Sequence, residues 1–122
     1  MRHLVTVALL GVAVIHLLPV VGVTGRLRAL YGLGELDAQV ELLLRHRAVL
    51  FGLLGACCAW AAFEPGLQTP ALVAGLVSTL SFLLLAHGAP LNAALTRVHR
   101  VDVVALVLVL VGLVARWRVE RR

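Results

Sequence analysis

The sequence predicts an all-α protein, a four-helix transmembrane antiparallel bundle that forms a single domain over residues 1–122. Three observations lead to this prediction: 61% of the residues are hydrophobic, only 14% are charged, and four long apolar runs occupy most of the chain. Average soluble domains are roughly 45–50% apolar and about 25% charged. A small soluble domain cannot bury so much apolar surface, so lipid is the expected surrounding.

The four apolar runs are the predicted helices, because a spanning helix needs about 20 mostly apolar residues. They cover residues 4–23, 40–63, 70–86 and 101–117. Only helices and closed barrels satisfy their backbone groups in lipid, and these runs lack the period-two alternation of barrel strands. Pro70 suits the start of the third helix. Asn92 suits an N-cap in a short interfacial segment before the fourth.

The connections between the runs are short and carry turn residues. Residues 24–35 contain three glycines, and their middle, residues 26–31, is expected to form one amphipathic turn at the interface. Residues 64–66 and 87–90 are turn segments. The first run resembles a signal peptide, but His16 and Pro19 interrupt it, so we expect a retained helix.

The arginines give the expected orientation. All 11 basic residues are arginine, which suggests a GC-rich bacterial genome. The end that holds both termini carries five of them: Arg2, Arg116, Arg118, Arg121 and Arg122. The other end carries six. Two of these, Arg45 and Arg47, fall at the membrane edge of the second helix, where they can serve a functional site and are therefore left out of the topology count. Since cytoplasmic loops carry the excess of arginine, both termini are expected in the cytoplasm, with the protein in the bacterial inner membrane.

The ionisable residues converge at one end of the predicted bundle. In an antiparallel bundle, the ends of helices one and three lie beside the starts of helices two and four. The candidate ligand-binding residues collected there are His16, Arg45, His46, Arg47, His87, Arg97, Arg100 and Asp102. Ionisable residues at such depths usually face the bundle interior or a watery cavity. The opposite half of the predicted bundle consists of nearly all Leu, Val, Ala and Gly, with two cysteines.

Helical spacing predicts that this end forms a pocket lined by His16, Arg45, Arg47 and Asp102. Small residues follow Arg45 and Asp102 on their helix faces, which favours close packing in a membrane. We expect Asp102 to pair with Arg45 or Arg47, because a buried carboxylate without a partner is costly. Arg45 and Arg47 lie two positions apart and cannot share a face. One is therefore expected to turn inward while the other reaches the headgroups.

Most of these residues also have a plain structural interpretation. Arg97 and Arg100 can anchor the protein to lipid headgroups, and His46 can simply lie at the interface. His87 can cap the third helix. His16 is either a hydrogen-bonded structural histidine or a ligand-binding one. The aromatic residues expected at the interface are Tyr31, Trp60 and Trp117.

The chemistry of the pocket favours an anionic or carbonyl-bearing ligand, such as a quinone or a lipid headgroup. Arginine supplies a fork of N–H donors, and histidine moves a proton near neutral pH. Two alternatives remain open. One is a metal ion or haem iron held by histidines and the carboxylate, although no H-E-x-x-H motif occurs. The other is a non-catalytic accessory or scaffold subunit that uses its small-residue faces to form a homo-oligomer or to bind a membrane partner protein.

The motifs of soluble enzymes are missing from the sequence. It contains no phosphate-binding G-x-x-x-x-G-K-[ST], no G-x-S-x-G and no G-x-G-x-x-G after a strand. A soluble enzyme is therefore not expected. Nucleic acid is not an expected partner either, because the arginines flank apolar runs and form no soluble basic face.

Three segments carry a resemblance to known proteins: residues 45–55 (RHRAVLFGLLG), 16–19 (HLLP) and 101–105 (VDVVA). They resemble a group of small bacterial four-helix membrane proteins of unknown function, over nearly the whole chain. In size and helix number the chain also looks like the DoxX-like group, which implies an association with quinone-linked redox systems. Similar sequences sometimes carry the name phosphopantetheine adenylyltransferase. That soluble enzyme uses an H-x-G-H-type loop on an α/β fold, and this chain has neither.

Overall fold

The computed structural model describes residues 1–19, 31–35 and 37–122, and in these ranges the chain forms four α-helices and no strand. The helices are α1 (Arg2–Leu17), α2 (Ala38–Ala61), α3 (Pro65–Ala86) and α4 (Ala93–Glu120). The predicted all-α antiparallel bundle is confirmed. The predicted interfacial turn at 26–31 lies, except for Tyr31, outside the described residues, as does the part of the predicted first helix beyond residue 19.

The helices form a ring in which each one packs against its neighbours in sequence, and α4 closes the ring against α1. α1 also contacts α3 across the centre. Because successive helices run antiparallel, the starts of α1 and α3 lie at the end that holds both chain termini, called here the terminal end. The starts of α2 and α4 lie at the other end, called here the two-loop end. The antiparallel order thus sets which side chains can meet.

The outside of the bundle is apolar, as expected in lipid. α2, α3 and α4 are long and apolar enough to cross a membrane, whereas α1 is apolar but has only 16 residues. Sixteen residues span about 24 Å, less than the roughly 30 Å hydrocarbon core. Large side chains such as Leu53, Val77 and Leu85 point outward, with exposed fractions of 62%, 62% and 84%. Small and branched residues fill the interior, so the chain has the exterior of a membrane protein.

All four helices begin earlier than hydropathy predicts, and α3 and α4 differ most, because their starts follow capping chemistry. α3 begins at Pro65 in place of the predicted Pro70, which lies inside the helix. Pro65 suits the first helical position, where the missing N–H has no helical partner. α4 begins at Ala93 in place of residue 101. The side chain of Asn92 accepts a hydrogen bond from the Leu95 N–H at 2.8 Å, which confirms Asn92 as the N-cap.

Gly55 allows α1 and α2 to approach closely. A Cβ at position 55 would lie 3.0 Å from the carbonyl oxygen of Ala13 and 2.8 Å from Cγ of Leu17. The carbonyl oxygen belongs to the backbone, so it moves only if the helices separate. We expect Gly55→Ala to destabilise the bundle by about 1–3 kcal/mol, seen as a lower Tm of the purified protein in detergent. Gly34→Ala is the control, since no described atom lies within 4 Å of a Cβ there. Equal Tm values for the two variants would contradict the close approach.

Candidate functional site

A cavity of about 300 Å³ lies at the two-loop end between α1, α2 and α4. Its polar lining consists of His16, Tyr31, Arg47, Arg97 and Asp102. Its apolar lining consists of Ile15, Leu18, Pro19, Phe51, Ala94, Val98 and Val101. We call it the His16 cavity. A mostly apolar wall with a few polar groups is typical of small-molecule sites, in which the polar groups fix the orientation of the ligand.

His16 connects three helices at the wall of this cavity. The residue is 2% exposed. Its Nδ1 lies 2.9 Å from the carbonyl oxygen of Val12, and its Nε2 lies 3.0 Å from Oγ of Ser78 on α3. Because a carbonyl oxygen only accepts, Nδ1 carries the proton, and Nε2 of the neutral ring accepts from the serine hydroxyl. The ring also packs against Phe51 of α2 with centroids 5.5 Å apart. With both nitrogens engaged, the His16 ring is held in place at the cavity wall, where it packs against Phe51.

Arg47 lies among three aromatic rings. Its Nη1 donates a hydrogen bond to the hydroxyl of Tyr31 at 2.8 Å. Its guanidinium carbon lies 4.5 Å from the ring centre of Phe51, 5.6 Å from that of Tyr31 and 5.9 Å from that of Phe82. Aromatic faces attract a cation most strongly where water is scarce. Among the described residues Tyr31 is the sole hydrogen-bond partner of Arg47, so its other N–H donors remain for a ligand.

Asp102 is half-buried on α4 and lines the same cavity as Arg47. Within the described ranges it forms no ion pair within 4.0 Å, so the predicted pairing with Arg45 or Arg47 is not observed. Arg45 instead pairs with Glu41, one helical turn away on α2, at 2.7 Å. The Arg47 guanidinium is directed to Tyr31 and the aromatic rings. The carboxylate of Asp102 therefore remains an acceptor at the cavity wall.

The other predicted site residues lie away from the cavity lining. The side chains of Arg45, His46, His87 and Arg100 are exposed. The inward orientation predicted for Arg45 is wrong, because the buried face of α2 carries Ala48, Gly55 and Cys58, and Arg47 lies toward that face. His87 is the C-cap of α3, where its backbone N–H donates to the Leu84 carbonyl. The structure thus brings together His16, Arg47, Arg97 and Asp102.

Tyr31 is a site residue that sequence reasoning placed elsewhere. It was expected at the interface, yet it is 5% exposed, and its carbonyl oxygen accepts from Nδ2 of Asn92 at 3.0 Å. Tyr31, Arg47 and Phe51 also line a second cavity of about 460 Å³, which Ser78 and Phe82 border. The sequence does indicate the contact between Arg47 and Phe51, because the two residues are four positions apart and therefore share a helix face. Tyr31 offered no such signal, since its partner lies 16 positions away.

The chemistry of the lining favours an organic ligand that bears oxygen atoms. Two arginines, a tyrosine hydroxyl and a carboxylate can form hydrogen bonds with a ligand in an otherwise apolar space. Within the described ranges, no three His, Cys, Asp or Glu side chains lie close enough together to hold a metal ion.

Fold and site together define a small helical membrane protein with a mostly apolar cavity, lined by a few polar groups, near one end of the bundle. No family model matches the chain, and searches of curated proteins and of solved structures gave no match either. The assignment of function therefore rests on the site itself.

Proposed function

We propose that this membrane protein binds a small anionic or quinone-like amphiphile in the His16 cavity. The observation that carries the proposal is the position of Arg47, a cation surrounded by aromatic rings with N–H donors left for a ligand. In a mostly apolar cavity, such donors hold an oxygen-bearing head group while the wall receives an apolar body. Charge-assisted hydrogen bonds of this kind are among the strongest that proteins make.

A quinone carries an oxygen atom on each of two opposite sides of its ring, and the cavity offers a hydrogen-bond partner for each. One carbonyl oxygen accepts from Arg47, and the ring lies near the aromatic face of Phe51. Asp102 lines the cavity on a different helix and accepts a hydrogen bond from a hydroxyl, which a reduced quinone carries. The volume is at the lower end of the roughly 300–1,000 Å³ typical of ligand pockets, so the cavity holds a head group and the chain of the amphiphile extends into lipid.

The proposed location is the inner membrane of a bacterium, with both termini in the cytoplasm. The terminal end carries five arginines. At the two-loop end, Arg47 and Arg97 line the cavity, whereas Arg45, which the sequence count set aside, is exposed and outside it. Leaving out the two cavity arginines leaves four at this end, again fewer than five. Membership in the group of small four-helix membrane proteins, with a looser relation to the DoxX-like group, belongs to the same proposal. A fluorescent protein fused to the C-terminus is expected to fluoresce, whereas alkaline phosphatase fused there stays inactive.

Calorimetric titration of the purified protein in lipid nanodiscs tests the proposed ligand class. We expect saturable binding of a decyl-substituted benzoquinone at one molecule per chain. Decylbenzene, which has the same tail and no carbonyl, is the matched control and is expected only to partition into lipid. Decanoate separates the anionic form of the ligand from the carbonyl form. Indistinguishable partitioning of all three compounds would refute the proposal. If a membrane partner protein also co-purifies, an accessory subunit becomes the favoured function.

A further inference from the structure

A separate polar cleft, of about 410 Å³, lies at the terminal end, between the starts of α1 and α3 and the last turns of α4. Its lining includes Arg2, His3, Thr6, Gln68 and Arg116. The sequence analysis predicts that the terminal half of the bundle is apolar, because these polar residues are far apart along the chain and lie near the ends of the apolar runs. Only the ring order of the helices brings them together. None of the residues that form the His16 cavity contributes to this cleft.

Gln68 supplies an unpartnered hydrogen-bond donor to the cleft. Its side chain is 8% exposed, and its Oε1 accepts from Nη1 of Arg116 at 3.4 Å. Because arginine only donates, the amide oxygen must face Arg116, so the NH₂ group points away from it. That NH₂ group has no partner among the described residues. This NH₂ group can therefore donate to a bound acceptor. Among the described residues, the buried side-chain atom without a hydrogen-bond partner is Nε of Arg116, which lines the same cleft, and a bound acceptor removes the cost of leaving it unpaired.

The charges around the cleft favour an anion. The helix starts of α1 and α3 direct unpaired backbone N–H groups and the positive ends of their dipoles to this end of the bundle. Arg2 and His3 lie in the first turn of α1. Arg116 is the second arginine of the lining, and its Nε lies 3.0 Å from Oε1 of Glu120, without hydrogen-bond geometry. In the described part of the chain no carboxylate lines the cleft itself.

We infer that the terminal-end cleft binds a phosphate group, carried by an anionic phospholipid or free in solution. Phosphate oxygens accept from the Gln68 amide, from arginine and from helix N-termini. The cleft lies where the helices end, which is the level of lipid headgroups in a membrane. The inference is independent of the His16 cavity, so either site can fail its test while the other stands.

Binding of short-chain lipids to the full-length protein in detergent, followed by native mass spectrometry, tests this inference. We expect dioctanoyl phosphatidylglycerol to bind and dioctanoylglycerol, which lacks the phosphate, not to bind. Gln68→Glu keeps the shape of the side chain and its pairing with Arg116, but it turns the donor into a negatively charged acceptor. We expect this variant to bind the phospholipid at least about tenfold more weakly. Arg116→Gln is expected to have a similar effect and decides the question if the first variant does not fold.

Arg122→Gln is the matched control, because Arg122 is an exposed arginine at the same end outside the cleft lining. It is expected to bind the phospholipid like the unaltered protein. Displacement of the lipid by inorganic phosphate would support the phosphate itself as the ligand. Binding that inorganic phosphate leaves unchanged, but that Gln68→Glu weakens, would support the lipid as its source. Equal binding by all three variants, or equal loss in all three, would overturn the inference.

Discussion

Replacing Arg47 with methionine is expected to weaken binding of the benzoquinone by at least about thirtyfold, the equivalent of about 2 kcal/mol. Methionine replaces the aliphatic part of the arginine side chain but lacks the guanidinium, whose carbon lies 4.5 Å from the centre of the Phe51 ring. It removes the charge and every N–H donor that faces the ligand. It also leaves the Tyr31 hydroxyl without its 2.8 Å partner, which adds to the loss. Calorimetric titration in nanodiscs measures the effect directly.

Arg45→Met is the control for this prediction. Arg45 lies on the same helix only two residues away, is exposed, and pairs with Glu41 outside the cavity. Exposed ion pairs contribute about 0–1 kcal/mol, so the variant should fold normally and bind the quinone with unchanged affinity. If both methionine variants lose affinity equally, the general positive charge at this end holds the ligand and the cavity does not.

His16→Leu is expected to lower both the stability of the bundle and the affinity for the ligand. Leucine removes the hydrogen bond from the Ser78 hydroxyl, which joins α1 to α3, and the contact with Phe51 beside the cavity. Loss of one partner from a buried hydrogen bond costs about 1–3 kcal/mol. We expect a clearly lower Tm in detergent. The affinity should also fall, because Phe51, which packs against the Arg47 guanidinium, loses its contact with the His16 ring.

The matched substitution for this second prediction is His46→Leu. His46 is exposed at the same end of the bundle, so the change places one more apolar side chain at the membrane edge and disturbs no described hydrogen bond. Its Tm and its quinone affinity should equal those of the unaltered protein. A His16→Leu variant with unchanged Tm would show that the contacts of His16 with α2 and α3 are not structural.

Much of the fold follows from the sequence, because long apolar runs without period-two alternation form helices in lipid. The antiparallel order of short-looped helices then places His16 beside the starts of α2 and α4. Helix boundaries depend on a different signal. Hydropathy starts the fourth helix at residue 101, but the amide of Asn92 caps it nine residues earlier and so extends the helix through Arg97. At α4 the capping residue locates the helix start better than apolar content does.

The lining of the cavity is harder to predict, because it depends on the rotation of each helix. Both faces of α2 near its start carry an arginine and small residues, so spacing alone does not select Arg47 over Arg45. The selection comes from tertiary contacts with the rings of Tyr31 and Phe82. The terminal-end cleft escapes prediction for the same reason, since Gln68 and Arg116 meet across 48 positions of sequence.

The most direct measurement is photolabelling of the protein in nanodiscs with a benzoquinone that carries a diazirine near its ring, followed by peptide mass spectrometry. Binding in the His16 cavity predicts labels on Ile15, Phe51, Val98 or Val101, and it predicts that excess unlabelled quinone abolishes them. Labels confined to outward-facing residues such as Leu53 and Val77, unchanged by competitor, would contradict binding in the cavity.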